Sequence, residues 1–281
     1  MKKGLILEGG AMRGMFTAGV MDVLMEHGIE FDGAVGVSAG AAFGCNYKSK
    51  QNGRVLRYNT RFCQDKRYGG YGVLLKTGNF YSKEFCYEEV PLKYDIFDYD
   101  TYEANPMEFY IVCTDVDTGE AEYHLFENRH DHGLEWIRAS ASMPLVSQMV
   151  EIDGRRYLDG ALADSIPVRF FEGIGYDRNV VILTQPLGFQ KKQDRAMPLM
   201  KFYYRKYPNL VRAMQTRYIQ YNDSLRYIAQ REAKGKLLVI RPPEKLPIHR
   251  TEKDPDKLRL VYGIGRQTAQ ERLEEILAYL G

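Results

Sequence analysis

Cysteine is sparse, with four residues in 281 (Cys45, Cys63, Cys86 and Cys113), and no two form a C-x-x-C pair. No Cys/His cluster has the spacing of metal ligands, so a disulfide scaffold and a zinc module are both excluded and a reducing compartment is expected. Cys45 reads as a packing residue. No run of about 18 apolar residues occurs, and mean hydropathy is −0.42, so no membrane-spanning helix is predicted. The start, Met1-Lys2-Lys3, is charged, but the apolar stretch after it is broken by Glu8. That pattern reads as a core strand, not a signal peptide, and a cytoplasmic location is the expectation. Neither G-x-G-x-x-G nor a Gly-Lys-Ser/Thr phosphate loop is present. Net charge is only +2, and no nucleic-acid motif accompanies it, so no nucleic-acid partner is expected. No internal repeat or low-complexity tract is visible.

Serine is also scarce, with eight residues, and one of them sits in Gly36-Val37-Ser38-Ala39-Gly40. This G-x-S-x-G follows the apolar run 34–37 and precedes Ala41-Ala42-Phe43, a helix start. Strand, sharp turn and helix are the context that pushes a serine hydroxyl out at the top of a sheet. Small residues let the backbone crowd there, and free N–H groups at the helix mouth favour an oxyanion. The same string also serves as a plain glycine-rich strand-to-helix turn. A second motif, Leu5-Ile6-Leu7-Glu8-Gly9-Gly10-Ala11-Met12-Arg13-Gly14, runs a strand into a turn that can aim several N–H groups at one point. Such a nest binds a phosphate or an acyl-transfer oxyanion, or it is simple strand–helix packing.

A serine nucleophile needs a base. Histidine is the usual one, but His27, His124, His130, His132 and His249 lie at a helix end, in an alternating strand, in a charged loop and in a Pro-rich connection, none of them a catalytic context. Among three Asp-Gly pairs, Asp32-Gly33 leads into a strand and Asp153-Gly154 is a two-residue hairpin turn between 149–152 and 155–158. Asp159-Gly160 ends the second hairpin strand, which suits either a positioned carboxylate or a cap for a helix near Pro167.

In this order, Glu8 to Gly14, Gly36 to Gly40 and Asp159-Gly160-Ala161 resemble the patatin-like phospholipase family, as do residues 139–144 and 163–167. The likeness covers about residues 3–185. It implies a three-layer α/β/α fold around a mainly parallel sheet, and a serine–aspartate lipid acyl hydrolase with no cofactor, metal or catalytic histidine. Carried over, Ser38 would be the nucleophile, Asp159 the base, and Gly9, Gly10 and Ala11 the oxyanion loop, supported by Ala39. The family usually has a third glycine where this chain has Ala11, whose methyl restricts φ. Arg13 matches a basic position that either pins the loop or meets a substrate phosphate. Two rivals stay open: a histidine-dependent triad esterase, and a lipid-surface binding or regulatory protein with weak turnover.

Two regions are expected: a hydrolase core over 1–190 and a helical, basic and aromatic C-terminal region over 191–281 that completes or caps it. Strands are predicted at 4–8, 34–37, 108–114, 121–126, 179–184 and 237–241. Residues 49–105 read as short helices and loops bordering a substrate entrance. Helices are predicted at 210–233 and 256–280. Residues 198–236 carry nine Lys/Arg against two acids, interleaved with tyrosines. That composition suits docking on an anionic lipid surface, or an amphipathic helix whose tyrosines pack on the core.

Overall fold

The computed structural model describes residues 1–281. Eight strands run in chain order: β1 (Lys2–Leu7), β2 (Gly33–Val37), β3 (Glu108–Asp115), β4 (Ala121–Leu125), β5 (Val150–Ile152), β6 (Arg155–Asp159), β7 (Tyr176–Ile182) and β8 (Leu237–Ile240). The helices are α1 (Gly14–Glu26), α2 (Ala39–Lys48), α3 (Arg54–Phe62), α4 (Tyr71–Thr77), α5 (Tyr99–Ala104), α6 (Gly133–Ser140), α7 (Val168–Gly173), α8 (Met197–Tyr203), α9 (Pro208–Ala233), α10 (Pro255–Glu271) and α11 (Leu273–Leu280).

The sheet order is β5-β6-β3-β2-β1-β7-β8, with β4 also on β3. The run from β3 to β8 is parallel, and the strands around β4, β5 and β6 are antiparallel. Side chains alternate between two buried faces, as strand geometry requires. Leu5, Leu7, Val180 and Ile182 enter the larger core under α1, α2 and α10, while Ile6, Val181, Val35 and Val37 enter the smaller core under α7 and α9. The chain is therefore a three-layer α/β/α structure, as the resemblance implies.

One pairing brings two remote segments together. Strand β4 occupies one edge of β3 along residues 110–114. Strands β2 and β6 divide the other edge, with Val37 opposite Val112 and Asp159 opposite Cys113. The end of β2 and the end of β6 therefore meet on adjacent residues of one strand. The β5–β6 turn falls at Asp153-Gly154, both with positive φ (51° and 76°), the geometry of a tight hairpin.

The C-terminal region joins the body through β8 at the sheet edge and α10 on α1. A Cβ at Gly19 or Gly265 would run into the carbonyl oxygen of Tyr262 or Phe16, so the two helices cross with backbones in contact. The single helix expected over 256–280 is two. Arg272 leaves helical geometry (φ −108°, ψ 10°) as its guanidinium reaches the Val239 carbonyl and Glu275. Residues 84–94 form a wide π-helical segment containing Pro91. Its turns do not repeat at 3.6 residues, which accounts for the poor periodicity of this stretch. In 198–236, Tyr204 and Tyr221 are buried, whereas Leu199, Phe202 and Tyr203 are exposed.

Candidate active site

Strand β2 hands over to α2 through Ser38, which adopts φ 55° and ψ −119°. A non-glycine residue held there stores strain that its surroundings must sustain. The two glycines of the pentapeptide make room: a Cβ at Gly40 would strike the Leu7 carbonyl, and one at Gly36 the Gly40 carbonyl. The Ser38 N–H donates to Ser140 Oγ at 2.8 Å, and Ser140 Oγ donates onward to the Val112 carbonyl at 2.6 Å. Ser140, at the end of α6, is fully buried.

The shared edge of β3 delivers Asp159 to Ser38. The Ser38 hydroxyl donates to Asp159 Oδ2 at 2.9 Å. Asp159 Oδ1 accepts the Ala161 N–H at 2.8 Å, capping the short 3₁₀ turn Gly160–Leu162. The cap expected for a helix near Pro167 is not made; Asp159 caps this short turn instead, with its other oxygen on the Ser38 hydroxyl. Its backbone is held by Ser142 (2.8 Å) and Thr114 (2.9 Å). Arg217 Nε on α9 donates to the Ala161 carbonyl at 2.6 Å and braces the loop. Burial raises the Asp159 pKa above its ordinary value. The charge of Arg217, the Ala161 N–H, the Ser38 hydroxyl and Lys191 pull in the other direction without cancelling it.

The loop after β1 faces the serine. Gly10 is extended (φ 179°), and Ala11 takes φ 50°, the left-handed region in which the family's glycine would be at ease. The N–H groups of Gly9, Gly10 and Ala11 find no acceptor within the chain. Their position beside Ser38 suits them to an oxyanion. Glu8 anchors the loop: Oε2 accepts from Thr184 N (2.6 Å) and Thr184 Oγ1 (3.1 Å), and Oε1 from the Tyr221 hydroxyl (2.6 Å). The Met12 N–H donates to the Arg250 carbonyl at 3.3 Å, which ties the loop to the C-terminal region.

Ser38 stands at the wall between two spaces. One is an apolar cavity of about 140 Å³ whose lining includes Phe43, Tyr58, Tyr87, Val90, Phe97 and Ile137. Residues 49–105 supply much of this wall. The other is a polar pocket of about 30 Å³ that contains Asp159, the 9–11 loop, Arg13, Lys191, Arg217 and Arg250. No histidine lines either space. Arg13 pins the loop through no side-chain bond; its Nε is buried without a partner. Ala39 opens α2 at the boundary and lines the apolar side.

Sequence reasoning missed Ser140, the anchor Glu8, and the cations Lys191, Arg217 and Arg250. Ser140 lay within the 139–144 stretch without a role. Arg217 and Lys191 carried no motif, and only the basic excess of 198–236 pointed toward Arg217.

The model of the Patatin-like phospholipase family matches residues 5–171, and that of a domain of unknown function (DUF6363) matches residues 207–281. The chain is 30% identical over 273 residues to the Escherichia coli protein YjjU, a match taking in 87% of this chain and 69% of that one. It is 29% identical over 187 residues to Lysophospholipase nte1 of Aspergillus niger, covering 62% of this chain but only 11% of that protein. Among solved structures, VipD from Legionella pneumophila is similar at a TM-score of 0.45 and 13% identity, over 98% of this chain and 67% of that one. With the family model spanning more than half of its residues, the chain belongs to the patatin-like phospholipase family.

Proposed function

We propose that this protein is a serine hydrolase that cleaves fatty-acyl esters of phospholipids, lysophospholipids or related lipids through an acyl-Ser38 intermediate. Family membership supports lipid acyl hydrolysis in general. The observation that carries the finer reading is the 2.9 Å bond from Ser38 to Asp159 at the boundary of an apolar cavity. Ser38 Oγ attacks the acyl carbonyl carbon as its proton passes to Asp159. The amides of Gly9, Gly10 and Ala11 hold the oxyanion, each well-placed donor contributing roughly 3–4 kcal/mol. The intermediate collapses, the C–O bond to the alcohol breaks, and the leaving oxygen takes the proton from Asp159. Water then attacks the acyl-enzyme, gives its proton to Asp159, and releases the fatty acid as Ser38 regains its hydrogen.

The division into a 1–190 core and a 191–281 C-terminal region is part of this reading, with the latter closing the polar side of the site. Peripheral contact with an anionic membrane belongs to it too, through exposed Leu199, Phe202 and Tyr203 beside Lys201 and Arg205. No helix is long and apolar enough to cross a membrane.

Labelling by a fluorophosphonate, together with turnover on a panel of acyl esters, tests the assignment. Wild type is expected to label and turn over, and Ser38→Ala to do neither. Ala11 at φ 50° favours a second reading, a lipid-binding protein with a blunted site. Wild-type protein that resists the probe and hydrolyses nothing would establish that reading instead.

Acid dependence gives an independent check. Asp159 must be ionised to accept a proton, and its folded pKa is raised. Activity is therefore expected to fall as pH drops through a value above the ordinary carboxylate pKa of about 4. A kcat/KM that stays flat down to pH 4 in folded protein would remove Asp159 as the base.

A further inference from the structure

Four cationic side chains converge on the polar pocket beside Ser38: Arg13 from the 9–13 loop, and Lys191, Arg217 and Arg250 from beyond residues 5–171, the segment that the Patatin-like phospholipase model matches. None of them takes part in an ion pair. The two acids of the pocket are engaged elsewhere: Glu8 with Thr184 and Tyr221, Asp159 with Ser38 and Ala161. Arg13 Nε is buried with no hydrogen-bond partner. Arg217 uses Nε on the Ala161 carbonyl and has further guanidinium N–H groups free to donate. Lys191 Nζ rests 4.1 Å from the Tyr221 ring centroid, and its backbone is pinned on both sides by the Asn222 side chain.

Cations gathered in one pocket repel one another, and Glu8 and Asp159 offset this only in part. Lys191 is lowered to about 7, first by burial and then by Arg217, with Arg250 and Arg13 adding and Glu8 opposing. A protein keeps so unfavourable a cluster when a ligand neutralises it. The pocket is small, about 30 Å³, so the ligand group is compact. With Lys191 only partly protonated near neutral pH, the three arginines and Lys191 against Glu8 and Asp159 leave about one to two positive charges, which a phosphate monoester would neutralise. A choline or ethanolamine headgroup would bring an ammonium into the same field.

We propose that Lys191, Arg217 and Arg250 join Arg13 in an anion subsite that selects acyl esters bearing a phosphate monoester close to the scissile carbonyl. The proposal rests on the hydrolase reading for its substrate, while its binding chemistry is independent of turnover. The C-terminal region then sets specificity for chemistry performed by the family-matched segment, and Arg250 does so from a loop whose carbonyl also holds the Met12 N–H.

Binding is measured on Ser38→Ala protein by calorimetry, with non-hydrolysable ether lipids at monomeric concentrations. The probes are 1-O-alkyl-glycerol 3-phosphate, the same alkyl-glycerol, the same alkyl-glycerophosphocholine, and inorganic phosphate. The phosphate monoester lipid is expected to bind about ten-fold or more tighter than the other two lipids, the scale of one or two charge-assisted contacts. Arg250→Gln, at an exposed side chain with no bond to lose, is expected to shrink that preference to below about three-fold, and Arg250→Lys to keep most of it. Equal affinity for the three lipids overturns the subsite, as does a preference untouched by Arg250→Gln. Inorganic phosphate binding as tightly as the phosphate lipid overturns the headgroup role in favour of a free anion. Turnover separates the two readings. Ser38-dependent hydrolysis of all three matched esters at equal rates sinks the subsite alone, whereas selective binding without any hydrolysis keeps the subsite and sinks the hydrolase.

Discussion

Asp159→Asn is expected to lower kcat on an acyl ester by about 10⁴-fold, close to the loss from Ser38→Ala. Asparagine keeps the size and hydrogen-bonding shape of the side chain, so the Ala161 cap and the β6–β3 register survive. What it cannot do is accept the Ser38 proton. No histidine lines either space around the serine, the Glu8 carboxylate is held by Thr184 and Tyr221, and the Lys191 ammonium lies over the Tyr221 ring, so Asp159 is the group bonded to the Ser38 hydroxyl. Single replacement of the five histidines is accordingly expected to leave activity within about two-fold, against the orders of magnitude that removal of a general base costs. The folded state should not suffer from Asp159→Asn. Burial already raises the carboxylate pKa, so the ionised group is held at a cost, and the amide is expected to melt at or above the wild-type temperature. Residual kcat within ten-fold of wild type, or an essential histidine, would transfer the role of base to another group.

The sheet and its two buried faces were legible because they rest on local signals: apolar runs bounded by glycine turns, and a hairpin across Asp153-Gly154. The strand ends that carry Ser38, Asp159 and the 9–11 loop were legible from their turn residues, while the roles given to them came from the family resemblance. Other features escaped for physical reasons. The break at Arg272 has no glycine or proline to announce it; it depends on a guanidinium reaching a carbonyl on β8. Residues 84–94 coil with a period that helix templates do not match. The cations of the polar pocket come from a loop, from α9 and from another loop, and only folding brings Lys191, Arg217 and Arg250 together. Arg217 was counted in a basic stretch that suited a lipid surface, yet its side chain turns inward to the loop that carries Asp159.

Ser140→Ala carries the second large effect, and it is a positioning effect. Ser140 touches no reacting atom in the proposed chemistry. Its hydroxyl accepts the Ser38 N–H and donates to the Val112 carbonyl, so one buried oxygen links the backbone of Ser38 to the strand whose edge β2 and β6 share. Alanine leaves a buried N–H and a buried carbonyl unpaired, costing about 2–3 kcal/mol. For a chain of this size that is a fall of roughly 3–5 °C in Tm. The Ser38 N–H bond is also one of the restraints that hold φ at 55°, a conformation the residue would otherwise leave. With the bond gone, the Ser38 hydroxyl drifts from Asp159, and kcat is expected to fall about 10²-fold, the penalty for misplacing a reacting group by an ångström. KM should change little, because the apolar cavity proposed for the acyl chain is not lined by Ser140. That split between kcat and KM separates positioning from mere destabilisation, which would reduce the active fraction and leave kcat per labelled site unchanged. Kinetics normalised to fluorophosphonate-titrated sites at a temperature well below both melting points decide between them. A per-site kcat equal to that of wild type would reduce Ser140 to a packing residue.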